Sequence, residues 1–154
     1  MKKICFVLFV CMFLNAYTIK EGVSAYKEKN YKKAEKIFKT LINKSPQAVN
    51  NLAMMYYYGE IKDKNGLYNQ KKAVELLKKG IKQFPNVAQL YYNLGVIYHN
   101  GYVESKDSRF RIVVKRKEAK NMFEKAEKLG YKKAKKFIQL YYNRDVNKTK
   151  KLNK

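Results

Sequence analysis

Apolar residues are arranged along this chain in two ways. From Ile4 to Leu14 they form an unbroken run of eleven, with Met1-Lys2-Lys3 before it and Asn15-Ala16 after it. From Tyr17 onwards they recur at three- and four-residue intervals, as in Tyr31, Ala34, Ile37, Phe38, Leu41 and Ile42, and again in Ala73, Leu76, Leu77 and Ile81. Intervals of that kind place the residues on one stripe of an α-helix, so the second region reads as a series of amphipathic helices. The series repeats itself. Ala34, Ala73 and Ala119 are each followed four positions later by a large apolar residue, Phe38, Leu77 and Phe123. Seven past the alanine stand Leu41, Gly80 and Ala126, and twelve past it Pro46, Pro85 and, out of pattern, Tyr131. Proline has no N–H to donate and disfavours helix in the residue before it, so it marks the end of each such helix.

Upstream of each alanine lies a second pattern, with Gly22, Leu52-Ala53 and Leu94-Gly95 followed within a turn by Tyr26, Tyr56 and Tyr98. A small residue at the centre of a helix lets its partner approach to the ~8–10 Å of packed helices, and the tyrosine fills the next turn. Gly59 and Gly101, three residues past Tyr56 and Tyr98, are placed to end those helices in a left-handed cap. Three antiparallel helix pairs are therefore predicted. The spacing from central small residue to alanine grows from twelve residues (22 to 34) to twenty (53 to 73) and twenty-four (95 to 119). The second and third pairs thus carry inserted loops.

This arrangement of small residue, tyrosine, alanine, large apolar residue and proline resembles the tetratricopeptide repeat, most closely from Gly22 to Pro46 with Asn30-Tyr31 at the turn. Leu52-Ala53-Met54-Met55-Tyr56-Tyr57-Tyr58-Gly59 and Ala126-Glu127-Lys128-Leu129-Gly130-Tyr131-Lys132-Lys133-Ala134 resemble its Sel-one-like variant, which has longer loops within the unit. The fold expected is an all-α solenoid of about three helix pairs over 17–142, closed by a capping helix from Lys133 to Tyr142 that packs Ala134, Phe137, Ile138 and Tyr141 on the last pair. The resemblance implies a concave face lined by the first helices. Carried onto this chain, it assigns Val23, Tyr26 and Lys27, then Asn50, Met54, Tyr57 and Tyr58, then Tyr92, Val96, His99 and Asn100 to a peptide-binding groove. The plainer alternative is that these aromatics pack between successive units.

Composition adds an address and a charge. The lysine-led apolar run ending at Ala16 has the form of a secretory signal peptide, too short at eleven residues to span a bilayer, which takes roughly 20. Val10 stands before Cys11, where a lipoprotein signal needs a small residue. Cleavage near Ala16 would leave a periplasmic or secreted chain with no transmembrane anchor and, since Cys5 and Cys11 are the only cysteines, no thiol. The 154 residues carry 35 Lys and Arg against 12 Asp and Glu, a formal +23 that falls to about +21 without Lys2 and Lys3. Only four of those cations are arginines, so the lysine excess also fits an A/T-biased codon pool. Hydrophobic residues at 46% are ample for a core and set the chain apart from disordered basic proteins.

Candidate chemistry is sparse. Ser24-Ala25-Tyr26-Lys27 has the serine–lysine spacing of serine β-lactamases, an activity that the resemblance brings to mind because cysteine-rich relatives carry it. The companion Ser-Asp-Asn and Lys-Thr-Gly motifs are missing, as are those cysteines, and with 31 lysines one such spacing arises readily by chance. His99 is the sole histidine, the acids are scattered singly, and no glycine-rich phosphate loop occurs, so no catalytic residue, metal or cofactor is expected. The plain reading of His99 is a solvated or cap-proximal cation near a helix C-terminus. Three of the four arginines cluster in a predicted loop, Arg109 to Lys117. Arg109, Arg111, Lys115 and Arg116 there form either a β-prone ledge that grips an anionic or extended partner, or a loop whose Ile112 and Val114 tuck under the third pair. The basic tail 143–154 lacks periodicity and holds Asp145-Val146-Asn147-Lys148-Thr149, an extended glycosylation acceptor centred on Asn147. The leading expectation is an exported, non-catalytic scaffold for a protein or peptide partner. Its rivals are a basic binder of acidic glycan, lipopolysaccharide or lipid headgroups and, third, a β-lactamase or penicillin-binding relative. Nucleic acid is not an expected partner of an exported chain.

Overall fold

A computed structural model of the chain describes residues 17–62, 69–106 and 109–142. The leader 1–16, Asn147 and the tail 143–154 lie outside the described residues. Among the described residues, seven helices and one hairpin follow in the order α1 (Ile19–Lys27), α2 (Tyr31–Leu41), α3 (Pro46–Tyr57), α4 (Gln70–Gln83), α5 (Ala88–Asn100), β1 (Tyr102–Lys106), β2 (Arg109–Val113), α6 (Arg116–Lys128) and α7 (Lys132–Tyr141). Helices α1/α2, α3/α4 and α5/α6 are the three predicted pairs, and α7 is the closing helix. The fold is all-α, a solenoid of the tetratricopeptide kind.

The first four helices start where the sequence supplies a side-chain cap, whereas Val87, Lys115 and Tyr131 precede α5, α6 and α7 without one. Thr18 accepts from the Glu21 N–H while Glu21 reaches back to the Thr18 N–H at 2.7 Å, a reciprocal pairing that satisfies two orphan donors of α1. Asn30, Ser45 and Asn69 cap α2, α3 and α4, and Pro46 occupies the first turn of α3, where its missing N–H costs nothing. Three helices end in the same six-residue wrap. The N–H of Asn30, Glu60 and Tyr131 returns to the carbonyl of Ala25, Met55 and Ala126, around a left-handed residue at Lys29, Gly59 and Gly130. Gly59 is therefore the predicted cap. Gly101 is not a left-handed cap of that kind: at φ 92°, ψ 162° it is extended with positive φ, a glycine conformation that turns α5 straight into β1.

Size complementarity sets the pairing. A Cβ on Gly22 would lie 2.5 Å from the Phe38 ring and one on Gly95 2.8 Å from the Phe123 ring, so in both pairs a glycine admits a phenylalanine. In the middle pair the same positions hold Ala53 and Leu77, one size up and one size down, both fully buried. Ala34, Ala73, Ala119 and Ala134 are likewise inaccessible, as expected of helix-crossing points. The core runs unbroken from Ala25 through Leu52, Leu90 and Ile97 to Ile138.

The third insertion is the hairpin. Strands β1 and β2 are antiparallel, with Glu104 opposite Arg111 and Val103 opposite Ile112. The segment is a β-hairpin, the shape that the ledge reading gave it. Ile112 and Val114 do not tuck under the third pair: Ile112 is 74% exposed, and Phe110 and Val114 are exposed beside it. The predicted loop also ends sooner than Lys117, because Lys115 is the residue before α6 and Arg116 and Lys117 are its first turn. The hairpin is tied back to the middle pair. The Val103 N–H donates to Gln70 Oε1 at 2.8 Å, and Glu104 lies between Lys71, at 2.9 Å, and Arg111, at 3.0 Å. Those two cations hold the Glu104 carboxyl down at about 2.

Candidate binding surfaces

The groove assigned from sequence divides into an open half and a filled half. At the open end, Val23, Tyr26 and Lys27 of α1 face Met54 of α3 across a hollow of about 320 Å³, floored by Phe38 and Met55. Side chains of α1 and α3 meet there because both are first helices, aligned side by side with their second helices behind them. Tyr26 is 36% exposed. Its hydroxyl donates to Glu60 at 2.7 Å, and that bond, aided by burial, pushes the phenol up to about 12. The ring is thereby fixed against the wall of the hollow. Asn51 lines the same hollow and was not among the residues assigned from sequence. Its neighbour Asn50 was, but it is only 7% exposed and accepts from Asn93 of α5, which makes it a link between first helices.

At the other end α7 covers α5. Tyr92 packs against Phe123, Tyr131 and Phe137, with ring centres 5.6, 4.9 and 6.4 Å away. His99 stands edge-on to Phe137 at 5.0 Å, beside Tyr141 and Tyr142, and its Nδ1 is 2.9 Å from the Tyr142 hydroxyl. His99 is thus not the solvated cation of the plain reading. Burial, and then the nearby Arg116, lower its pKa below the usual range. For Tyr92 and His99 the inter-unit packing alternative is what the structure shows. Val96 is half-buried in the same contact, and Asn100 is exposed. Between the two ends Tyr57 is half-buried, with its hydroxyl donating to the Gly101 carbonyl at 3.2 Å, while Tyr58 is 65% exposed beside it. These placements follow from where α7 docks, which no local pattern in α5 reveals.

Within the cationic cluster of the third insertion, Arg111 and Lys115 have separate partners. Arg111 is paired with Glu104, Lys115 lies 5.5 Å from the centre of the Tyr98 ring, and Arg116 opens α6. Arg109 belongs to β2. Ser24 is exposed, and its hydroxyl donates to Glu28 at 3.0 Å, one turn along α1. Among the described residues no group of three His, Cys, Asp or Glu side chains is placed to hold a metal ion, and no helix is long and apolar enough to cross a membrane.

Helix pairs stacked with their first helices side by side, small-to-large contacts within each pair and an aromatic-lined first-helix face define a tetratricopeptide-type solenoid. The particular likeness is to the Sel1 repeat. The crystal structure of a Sel1 repeat protein from Oxalobacter formigenes superposes on this chain with a TM-score of 0.57 at 24% sequence identity. The match covers 82% of this chain and 45% of that one, so this chain spans less than half the length of the protein it resembles. No protein-family profile matches the chain, and no curated protein matches it in sequence.

Proposed function

We propose that this chain is an exported, non-catalytic scaffold that holds an extended peptide or a loop of a partner protein in the hollow between α1 and α3. The observation that carries this reading is the hollow itself, about 320 Å³, lined mostly by apolar side chains, with a tyrosine held rigid by Glu60 and an adaptable Met54 on facing walls. Rigid aromatic area and a deformable thioether are what extended peptides meet in such grooves, and Lys27 and Asn51 at the rim suit a peptide's carbonyls and carboxylates. The fold shared with the Sel1 repeat protein supports a scaffold by analogy. Export rests on the leader, and mass spectrometry of the secreted or envelope fraction should give an N-terminus at or near Tyr17.

The binding test is a double substitution at the open end. Tyr26→Ala with Met54→Ala should weaken capture of the peptide selected by the parent protein from a displayed library at least tenfold, about 1.4 kcal/mol. Helicity and melting temperature should change little, because Tyr26 and Met54 lie at the rim of the core. Undiminished capture by the double variant would remove the α1–α3 hollow as the site.

A further inference from the structure

The hollow between α1 and α3 lies on the first-helix face, and the opposite face carries a larger one of different chemistry. Second helices α4 and α6 stand apart over α5, leaving an open trough of about 760 Å³. Leu94, Tyr98 and Met122 form its apolar floor. Lys78, Lys79 and Lys82 of α4 line one side, and Lys115, at the entrance to α6, lines the other. Glu75 and Glu118 are the acidic groups that face it. The trough continues past Glu75 and Lys79 into a second hollow of about 230 Å³ between α2 and α4, where Lys39 and Lys72 stand over Leu52 and Tyr56. Lys39 is there paired with Glu35, which also receives the Tyr56 hydroxyl at 2.9 Å.

One motif is repeated in the two hollows. Lys72 Nζ lies 4.6 Å from the centre of the Tyr56 ring, as Lys115 Nζ lies 5.5 Å from that of Tyr98. Tyr56 and Tyr98 hold the same place in the first helices of the second and third pairs, where the first pair has Ala25, so a buried tyrosine under a lysine ammonium occurs in two successive repeats. Packed helices are about 8–10 Å apart, a distance spanned by about three residues of polyproline II chain, which also returns every third side chain to one face. An elongated trough open to solvent, with a periodic floor and cations on both sides, matches a polymer that is itself periodic. It offers no closed cavity to bury an acyl chain. We propose that this second-helix face docks an acidic polypeptide segment, whose large apolar side chains enter the two hollows beside the half-buried Leu76 and Met122 while its carboxylates meet the flanking lysines. The site is independent of the α1–α3 hollow, so the chain could hold two partners at once, and either site can fail without the other.

The test uses the full chain and a fluorescein-labelled peptide of about twelve residues made of Glu-Glu-Leu repeats, which returns an apolar side chain every three positions. Fluorescence anisotropy should show saturable binding that weakens at least tenfold with Lys78→Glu plus Lys82→Glu, and at least tenfold when the peptide's leucines become glycines. Tyr26→Ala with Met54→Ala should leave it unchanged. Lys78→Gln with Lys82→Gln, which keeps side-chain bulk, should give a smaller loss in the same direction, and melting curves check that each variant folds. Absence of binding, equal binding of the glycine peptide, or loss through the Tyr26 and Met54 pair alone would overturn the proposal. So would phosphatidylglycerol vesicles that bind through Lys78 and Lys82 while the peptide stays in solution, which would give this face to lipid.

Discussion

The first and third helix pairs are built to one plan, yet their first-helix faces end up different. In α1 the aromatic at the groove position, Tyr26, faces a hollow, donates to Glu60 and sets its ring against Tyr31. In α5 the corresponding face is occupied by Tyr92, Val96 and His99 under α7, in a cluster with Phe123, Phe137, Tyr141 and Tyr142. The difference is positional. A unit with a neighbour on both sides uses its aromatics as mortar, and the unit at the open end has aromatic surface to offer. In a solenoid, therefore, binding capacity cannot be assigned by repeat position alone, because each repeat buries or exposes the same residues according to what stacks on it.

The sharpest way to test that contrast is to truncate one ring at each end. Tyr92→Ala removes a side chain wedged among three other rings and should cost about 2–3 kcal/mol by leaving a cavity, whereas Tyr26→Ala should cost well under about 1 kcal/mol, as for exposed sites. Urea unfolding of the two variants measures both. Equal losses would mean that the α1 face is as fully packed as the α5 face.

The glycines make a finer comparison. Gly95→Ala pushes a Cβ against Phe123, which is completely buried and held by α6 and α7. Overpacking should outweigh the better helix propensity of alanine and leave a net loss of about 1–2 kcal/mol. Gly22→Ala meets Phe38 even more closely, but α1 has no helix outside it among the described residues and can move outward. Its net effect should be smaller, so a larger loss at Gly22 than at Gly95 would show that α1 is the more rigidly held helix.

At the turn of the first pair, Lys29 adopts φ 59°, where glycine or asparagine is preferred, while the matching turns use Gly59 and Gly130. Lys29→Gly should therefore raise stability by about 0.5–1 kcal/mol, read as a higher urea midpoint, and it should leave the hollow beside it intact.

The smallest effect expected is a pH dependence confined to the filled end. His99 has a lowered pKa in the folded state, so the unfolded chain binds the proton more readily. The α5–α7 contact is at full strength above histidine's usual range and weakens as the pH falls from about 7.5 to about 5. Hydrogen exchange should show α7 losing protection over that interval while α1 and α2 keep theirs, and His99→Phe should flatten the response.

Much of the fold was legible in the chain. The three- and four-residue intervals, the turn at Asn30-Tyr31, the cap at Gly59, and the recurrence of Ala34, Ala73 and Ala119 are local quantities, and each places a helix or an end without reference to distant residues. That the two helices of each pair pack through a central small residue was likewise visible, but that Gly22 and Gly95 admit the rings of Phe38 and Phe123 was not. The site was legible only in part. Val23, Tyr26, Lys27 and Met54 meet as the repeat pattern implies, but Asn50 is turned to Asn93, and Tyr92 and His99 are turned to α7. The lysines beside Tyr56 and Tyr98 were hidden among so many others that their alignment could not be told from a general surplus.

What the sequence determined by itself was the set of helices, their order and which face of each is apolar, since helical periodicity and capping act over a few residues. Tertiary structure alone decided which of those apolar faces is covered by a neighbour, which tyrosine has a lysine above it, and that the third insertion folds as a hairpin pinned to Gln70 and Lys71. Those outcomes depend on how successive pairs are rotated against one another, and that angle is set by summed contacts between residues such as Asn50 and Asn93, 43 positions apart. Spacing along the chain carries no record of it.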